Sequence, residues 1–172
     1  MTTIREERED DFDGIRAVND AAFGGPDESA IVERLRDAGL VITSLVADEY
    51  GEIVGHILFS ELEVTDSEHK RTIRAAALAP MCVAPTHQRM GIGGELIRQG
   101  LEKCRKNGVD LVVVVGHADY YPRFGFSAEK AECLESPFSG QFSMVFELKT
   151  GILDDFSGIV VYPPAFGLES AE

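Results

Sequence analysis

Apolar residues recur every three or four positions along two stretches near the start of the chain, which is the spacing of one face of an α-helix. In the first stretch these residues are Phe12, Ile15, Val18, Ala22 and Phe23. In the second, from Asp27 to Ala38, they are Ile31, Leu35 and Ala38. Gly39 follows at once as a natural helix stop, so the pattern predicts two successive helices.

The segments that follow have the composition of β-strands. Leu45 to Ala47 and Ile53 to Val64 are separated by the turn Asp48-Glu49-Tyr50-Gly51, which predicts a hairpin. Ile73 to Val83 predicts a further extended run, interrupted by Pro80. Proline cannot donate to a sheet ladder, so we expect the pairing to be disturbed there, as at a bulge or a splayed edge.

The middle of the chain predicts a helix followed by a buried strand. The apolar stripe of this helix is Ile92, Leu96, Ile97, Leu101 and Cys104. Basic residues in its last turn and Gly108 just beyond it match the rules for helix ends. Leu111 to Val115 is uniformly apolar, which predicts a strand buried on both faces. A strand, a helix and a buried strand in succession imply a parallel crossover pair.

Two more strands are predicted near the end of the chain. Gln141 to Leu148 alternates between apolar and other residues, and Ile159 to Tyr162 forms a short closing strand. The fold class is therefore α/β (α+β), with a mixed sheet that is mostly antiparallel and one parallel strand pair linked by a helix. No repeat or linker divides the sequence, so residues 1–172 are expected to form a single domain.

The net charge of the chain limits the kinds of molecule that it is expected to bind. The formal net charge of −14 argues against a general nucleic-acid binder or a binder of anionic membranes, because both partners attract basic surfaces. The run Leu111 to Val115 is far shorter than a membrane helix, and the acidic start of the sequence does not resemble a secretory signal. The 3 cysteines have no paired spacing, which predicts a reducing, cytoplasmic setting and no metal site.

The charge is unevenly distributed along the chain. Between residues 71 and 125 there are 8 Lys and Arg against 4 Asp and Glu, inside a chain that is otherwise strongly acidic. Such an asymmetry indicates an anionic ligand, although a chance cluster of solvated basic residues would give the same count.

A glycine-rich turn, Gln88 to Gly94, lies between the predicted strand and the next helix. The first turn of a helix has free N–H groups and partial positive charge, and glycine allows an anion to approach closely, so the segment suits a phosphate. A P-loop would need Lys and then Ser or Thr after the last glycine, but Glu95 and Leu96 follow. A dinucleotide fingerprint would need a third glycine where Leu96 stands. A tight turn without any ligand remains open.

The segment Gln88-x-x-Gly91-x-Gly93 resembles the acyl-CoA pyrophosphate loop of the GNAT superfamily of N-acetyltransferases. About 30 residues later, Tyr121-Pro122-Arg123-Phe124-Gly125-Phe126 resembles the Tyr-x-x-x-Gly-Phe segment of that family. The doubled tyrosine at residues 120 and 121 and the ending Val161 to Phe166 resemble the YhbS-like branch of predicted acetyltransferases. The order of elements resembles the GNAT fold from about Thr3 to Val161, with helices on both faces of the sheet.

The resemblance implies acetyl-CoA as co-substrate and direct transfer of its acetyl group to the primary amine of a small molecule or protein. It implies a cofactor-binding set of Met81, Cys82, Val83, Gln88, Arg89, Met90, Gly91, Ile92, Gly93 and Gly94. Arg89 is the cation best placed for the pyrophosphate, and Tyr121 matches the tyrosine that protonates the departing thiolate. A structural tyrosine packed on Phe124 and Phe126 is the alternative, and Tyr120 is a weaker candidate acid.

The general base is less clear. The fourth strand of the family pattern, Ile73 to Val83, contains no Asp or Glu, so the usual site of the carboxylate is empty. Glu61, Glu63 and His117 are the candidates that remain, and a solvated or structural role is the alternative for each. Cys82 is expected to be a small apolar strand residue and not a nucleophile.

Three functions stay open at this point. The first is the N-acetyltransferase, with an acceptor amine that the acidic flanking segments suggest is cationic. The second, suggested by the missing carboxylate, is a non-catalytic CoA-binding regulatory module on the same fold. The third is a phosphate-binding module of another kind. The sequence does not specify the oligomeric state.

Overall fold

A mixed β-sheet runs through the centre of the protein, in a computed structural model that describes residues 1–66, 68, 71–138 and 142–167. Within these residues its strands are β1 (Thr2–Glu6), β2 (Val41–Glu49), β3 (Glu52–Asp66), β4 (Arg71–Val83), β5 (Leu111–Val115), β6 (Leu134–Glu135), β7 (Ser143–Glu147) and β8 (Gly158–Val161). The strand order is β1-β2-β3-β4-β5-β7, and β8 pairs with both β3 and β6. Most pairs are antiparallel, β4 and β5 are parallel, and the two-residue β6 adds a short parallel contact with β8. The predicted fold class is confirmed.

Helices cover both faces of the sheet. They are α1 (Phe12–Phe23), α2 (Asp27–Asp37), α3 (Ile92–Lys106) and the short α4 (Ala128–Ala131). The alternation of side chains along β2 separates the two sides, because Leu45 and Ala47 belong to the core cluster under α3. Val46 points the other way and packs in a separate cluster with Ile15 of α1 and Leu35 of α2.

The parallel pair diverges at its carboxyl end. β4 pairs with β5 only where Ala75–Ala77 face Leu111–Val113. Farther along, β4 stays paired with β3, while β5 pairs on its other side with β7. Ala79 and Pro80 together oppose the single residue Leu58 of β3, so the predicted disturbance at Pro80 is a bulge. The divergence leaves a gap in the sheet between β4 and the end of β5.

The strand predicted at Leu45 to Ala47 is longer in the structure. It begins at Val41 because Thr43 and Ser44, which interrupt the apolar pattern, are nevertheless buried. Strand β1, which the sequence analysis did not predict, pairs along its whole length, Thr2 to Glu6, with the second half of β2, from Glu49 back to Leu45. Its Arg5 forms ion pairs with Asp11 and Asp48, and Ile4 is its single large apolar residue packed against the core, so the strand is too poor in apolar residues to show a pattern.

The remaining predicted elements are confirmed with small shifts at their ends. The strand predicted from Gln141 to Leu148 spans Ser143–Glu147, and Gln141 itself lies outside the described residues. The closing strand starts at Gly158, one residue before its predicted start. Val115 was expected to be buried with the rest of β5, but it is 40% exposed because it borders the gap. Across the described ranges, no helix is long and apolar enough to cross a membrane.

Candidate active site

A cavity of ≈ 1070 Å³ occupies the gap between β4 and β5 and extends to both faces of the sheet. One wall is the second half of β4, from Leu78 to Val83, and the opposite wall is Val115 to His117 after β5. On the face covered by α3, the cavity reaches the glycine-rich turn and the segment around Tyr120. On the other face it reaches α1 and α2. The cavity therefore has two ends that are built from different elements.

The glycine-rich turn offers backbone N–H groups to the first end. Gly91 is the N-cap of α3 with φ of 83°, a left-handed conformation that glycine adopts without strain. The first helical hydrogen bond runs from the Glu95 N–H to the Gly91 carbonyl at 3.2 Å. The N–H groups of residues 92–94 consequently have no helical partner and are free for an anion. The Gln88 side-chain amide donates to the Val83 carbonyl at 3.1 Å and ties the turn to β4.

The two sequence motifs are in direct contact. A Cβ atom on Gly93 would lie 2.7 Å from the Tyr120 hydroxyl, and one on Gly94 would lie 3.0 Å from the ring of Phe124. A Cβ on Gly93 would require the Tyr120 hydroxyl to shift, and one on Gly94 would be tighter against the Phe124 ring than most Cβ contacts. These glycines therefore allow the start of α3 to approach the tyrosine segment closely.

Tyr121 is buried at the edge of the cavity. It is 8% exposed, and its ring packs edge-on against Tyr120 and Phe126, at centroid distances of 5.2 and 5.6 Å. Burial, with a smaller contribution from Tyr120, raises the pKa of Tyr121 to about 12. The phenol is therefore protonated at neutral pH and can donate a proton. Tyr120 also lines the cavity and has a pKa raised by burial, so the structure brings two phenols to this point.

The three predicted residues of β4, Met81, Cys82 and Val83, all line the cavity. On the side toward β5 this stretch has no strand partner among the described residues, so its outward N–H groups are not committed to the sheet. The pKa of the Cys82 thiol is raised to about 12, chiefly by burial and to a smaller extent by the charge of Glu28, against a hydrogen bond to the His56 backbone that lowers it. A thiol that is protonated at neutral pH is a poor nucleophile, as the sequence analysis expected.

Guanidinium groups surround the first end. The predicted Arg89 lines the cavity and has a left-handed φ of 66°. Arg98 and Arg123, which the sequence analysis did not select, also line it, and they lie 5.3 Å from the centre of the Phe124 ring and 4.8 Å from that of Tyr120. Gln88, Gly91, Ile92, Gly93 and Gly94 line the cavity as well. Met90 does not, because its side chain is 65% exposed outside it.

The structure places the candidate bases His117, Glu61 and Glu63 in different surroundings. His117 lines the cavity. Glu61 is ion-paired with Arg74 at 2.6 Å, and neither Glu61 nor the exposed Glu63 borders the cavity. Glu28, in the first turn of α2, does border it. Acidic residues are common in first turns because they interact with the helix dipole, so the sequence contained no signal that separated Glu28 from its neighbour Asp27.

No group of three or more His, Cys, Asp or Glu side chains that could hold a metal ion occurs in the part of the chain that the structure describes.

Comparison with known proteins gives consistent results. A family model described as an acetyltransferase (GNAT) domain matches residues 3–128. The chain is 41% identical over 118 residues to the uncharacterized N-acetyltransferase YjhQ of Escherichia coli K12, a match that covers 67% of this chain and 64% of YjhQ. It is 29% identical over 166 residues to the uncharacterized N-acetyltransferase YhbS of the same strain, covering 95% and 97% of the two chains.

Two crystal structures with ligands resemble this one closely. The E. coli YhbS structure in complex with CoA has a TM-score of 0.88 and 27% identity, and the match covers 98% of this chain and 93% of that one. A GNAT family acetyltransferase from Brucella melitensis in complex with acetyl-CoA has a TM-score of 0.79 and 35% identity, covering 96% and 98%.

Proposed function

Because the chain belongs to the GNAT family of acetyltransferases, we propose that it transfers the acetyl group of acetyl-CoA directly to a primary amine. The observation that carries the proposal is the cavity between β4 and β5, which joins a glycine turn with free N–H groups to a buried, protonated tyrosine. Two solved relatives hold CoA or acetyl-CoA, which supports this ligand for the cavity.

The first end of the cavity fits the cofactor. Free N–H groups at the start of α3 and the three arginines Arg89, Arg98 and Arg123 match the negative charge of a pyrophosphate. The wall of β4 would then flank the pantetheine arm, and its uncommitted N–H groups near Met81 to Val83 would donate to the thioester oxygen as charge develops there. Acetyl-CoA supplies an activated acyl group, so no protein nucleophile is required.

Proton transfers complete the reaction. The acceptor loses one proton from its ammonium group to a base or to water, and its nitrogen forms the new bond to the acetyl carbon as the C–S bond breaks. Tyr121 would give its phenolic proton to the departing sulfur and recover one from the product nitrogen. With its pKa raised to about 12, Tyr121 is protonated at neutral pH and so carries the proton that this role requires.

The proposal is tested by measuring thiol release from acetyl-CoA with a panel of primary amines, together with mass spectrometry of the amine product. We expect thiol release that requires an amine and an acetylated product in equal amount. Binding of CoA without turnover on any amine would instead identify a regulatory CoA-binding module. If no acyl-CoA raises the melting temperature, the cofactor assignment itself is wrong, because a ligand of the native state must stabilise it.

A further inference from the structure

The second end of the cavity, on the face covered by α1 and α2, has a different character from the first. Its apolar lining is Ala22, Phe23, Ile31 and Phe166. Glu28 is the one acidic side chain among the described lining residues. A cavity end that combines one carboxylate with apolar and aromatic surface suits a ligand that combines one cationic group with an apolar body.

Two hydrogen bonds fix the position of this end. The Ser29 hydroxyl donates to the Asp20 carboxylate at 2.6 Å, which joins the first turn of α2 to α1 and so holds Glu28 in place. The Arg34 guanidinium donates to the Ala165 carbonyl at 2.8 Å, which holds the short 3₁₀ helix carrying Phe166 against α2. The carboxylate and the aromatic ring are therefore presented by anchored segments.

Glu28 has no competing partner of opposite charge. It forms no hydrogen bond or ion pair with any side chain of the described residues, although it is half-buried. Its charge nevertheless acts on the middle of the cavity, where it adds to the effect of burial in raising the pKa of the Cys82 thiol. The arginines of the cavity lining lie at the first end, beside the glycine-rich turn, which is called the glycine end below. Phosphates bound there would neutralise the charges of these arginines.

We propose that Glu28 binds the ammonium group of the acceptor, and that the acceptor is a primary monoamine whose apolar body contacts Phe23, Ile31 and Phe166. This inference rests on the proposed function and assigns the substrate class to that same cavity. A polyamine would find a single carboxylate here, so its further ammonium groups would lose water without gaining a partner. The proposal thus narrows the cationic acceptor expected from the acidic composition to an amine with one charge.

Isothermal titration of phenethylamine, hexylamine and spermidine into the CoA-saturated protein tests this directly. The variants are Glu28→Gln and, as a matched control, Asp27→Asn. Both remove one negative charge from the first turn of α2, but Asp27 does not line the cavity. We expect Glu28→Gln to weaken the binding of both monoamines by about 10- to 100-fold, the usual range for losing a hydrogen bond to a charged group. Asp27→Asn should change it by less than about twofold.

Spermidine should bind no more tightly than hexylamine, and the affinity for CoA should be the same in both variants and the wild type. Equal monoamine affinity in Glu28→Gln and the wild type would overturn the inference. So would tighter binding of spermidine, equal losses in the two variants, or no binding of either monoamine. Failure of the proposed function has another signature, because the wild type would then fail to bind CoA or to acetylate any amine.

Discussion

The two ends of the cavity are built in different ways. At the glycine end, backbone N–H groups of one continuous segment and three guanidinium groups face the cavity. At the second end, called the acceptor end because we propose that the amine binds there, side chains come from α1, α2 and the segment near Phe166, which lie far apart in the sequence. The first arrangement depends on local backbone geometry and can be recognised as a motif. The second depends on tertiary packing, and a motif search has nothing contiguous to find.

The largest expected effect lies between the two ends, at Tyr121. Tyr121→Phe removes the proton donor and keeps the ring that packs against Phe126, so the fold and both binding ends should be preserved. We expect kcat to fall by about 100-fold or more, with an unchanged Kd for acetyl-CoA, because a positioned general acid contributes at least that much. Steady-state kinetics and calorimetry on the same preparation measure the two quantities.

Tyr120→Phe is the matched control for this experiment. Its hydroxyl lies over Gly93, at the glycine end, so its loss should affect binding of the cofactor more than kcat. If Tyr120→Phe lowers kcat and Tyr121→Phe does not, the roles of the two phenols are exchanged.

Gly93→Ala should disturb the glycine end selectively. The new Cβ atom would meet the Tyr120 hydroxyl at 2.7 Å, so the start of α3 and the tyrosine segment must separate. Overpacking of this kind costs about 1–3 kcal/mol, which should appear as a lower melting temperature and weaker binding of acetyl-CoA. The double variant Gly93→Ala/Tyr120→Phe removes the oxygen and should recover part of the loss. Wild-type stability and affinity in Gly93→Ala would show that the contact is unimportant.

A buried histidine, His56, is hydrogen-bonded to α1 and should make the stability of the protein depend on pH. The Asn19 amide on α1 donates to His56 Nδ1 at 3.2 Å, which leaves the His56 Nε2–H to donate to the Ser44 hydroxyl at 2.8 Å. Burial, with a smaller contribution from Arg36, lowers the pKa of His56 to about 3. In the unfolded chain the His56 side chain therefore takes up a proton near pH 6.5, whereas in the folded chain it stays neutral down to about pH 3.

Within that window, stability must fall as the pH falls, because the unfolded state holds the extra proton. The contribution of His56 should be about 1.4 kcal/mol per pH unit between about pH 6 and pH 4. Urea unfolding at a series of pH values measures how the free energy of unfolding changes with pH. In His56→Gln this change per pH unit should be smaller than in the wild type by about that amount. The NMR signals of His56 in the folded wild type should show no protonation over the same range. A titration near pH 6.5 would contradict the assignment.

The smallest predicted effect concerns the charges of the glycine end. Arg89→Gln should weaken binding of CoA by about twofold to fivefold, as expected for one exposed charge–phosphate contact, and the loss should shrink at high salt. Arg105→Gln is the control, because Arg105 pairs with Glu102 at 2.7 Å near the other end of α3. Equal losses in the two variants would mean that only the net charge of the protein matters.

The contrast between the two ends also explains what the sequence could predict. Helices α1 to α3, the bulge at Pro80 and the crossover to β5 follow from periodicity, proline and glycine, which act within a few residues. The glycine turn was predicted from its own residues, and Tyr121 from the resemblance of its segment to a family motif; the structure brings the two together at one cavity. Their roles in binding and catalysis remain predictions.

The features that escaped prediction are held by distant partners. Strand β1 is held by its pairing with β2 and by ion pairs of Arg5 with residues that lie later in the chain. The first half of β2 contains Ser44, whose polarity is explained only by its hydrogen bond to His56. Glu28 differs from Asp27 only in facing the cavity, which depends on how α2 docks on α1. Local pattern rules contain none of this information.

Hydrogen–deuterium exchange with and without CoA tests the two-ended cavity most directly. The N–H groups of residues 92–94 have no helical partner in the free protein, so their exchange should slow when the pyrophosphate accepts their hydrogen bonds. CoA alone should protect residues 81–94 and leave residues 23–31 of α1 and α2 unchanged. Protection of residues 23–31 by CoA, or none at residues 81–94, would contradict the assignment of the two ends.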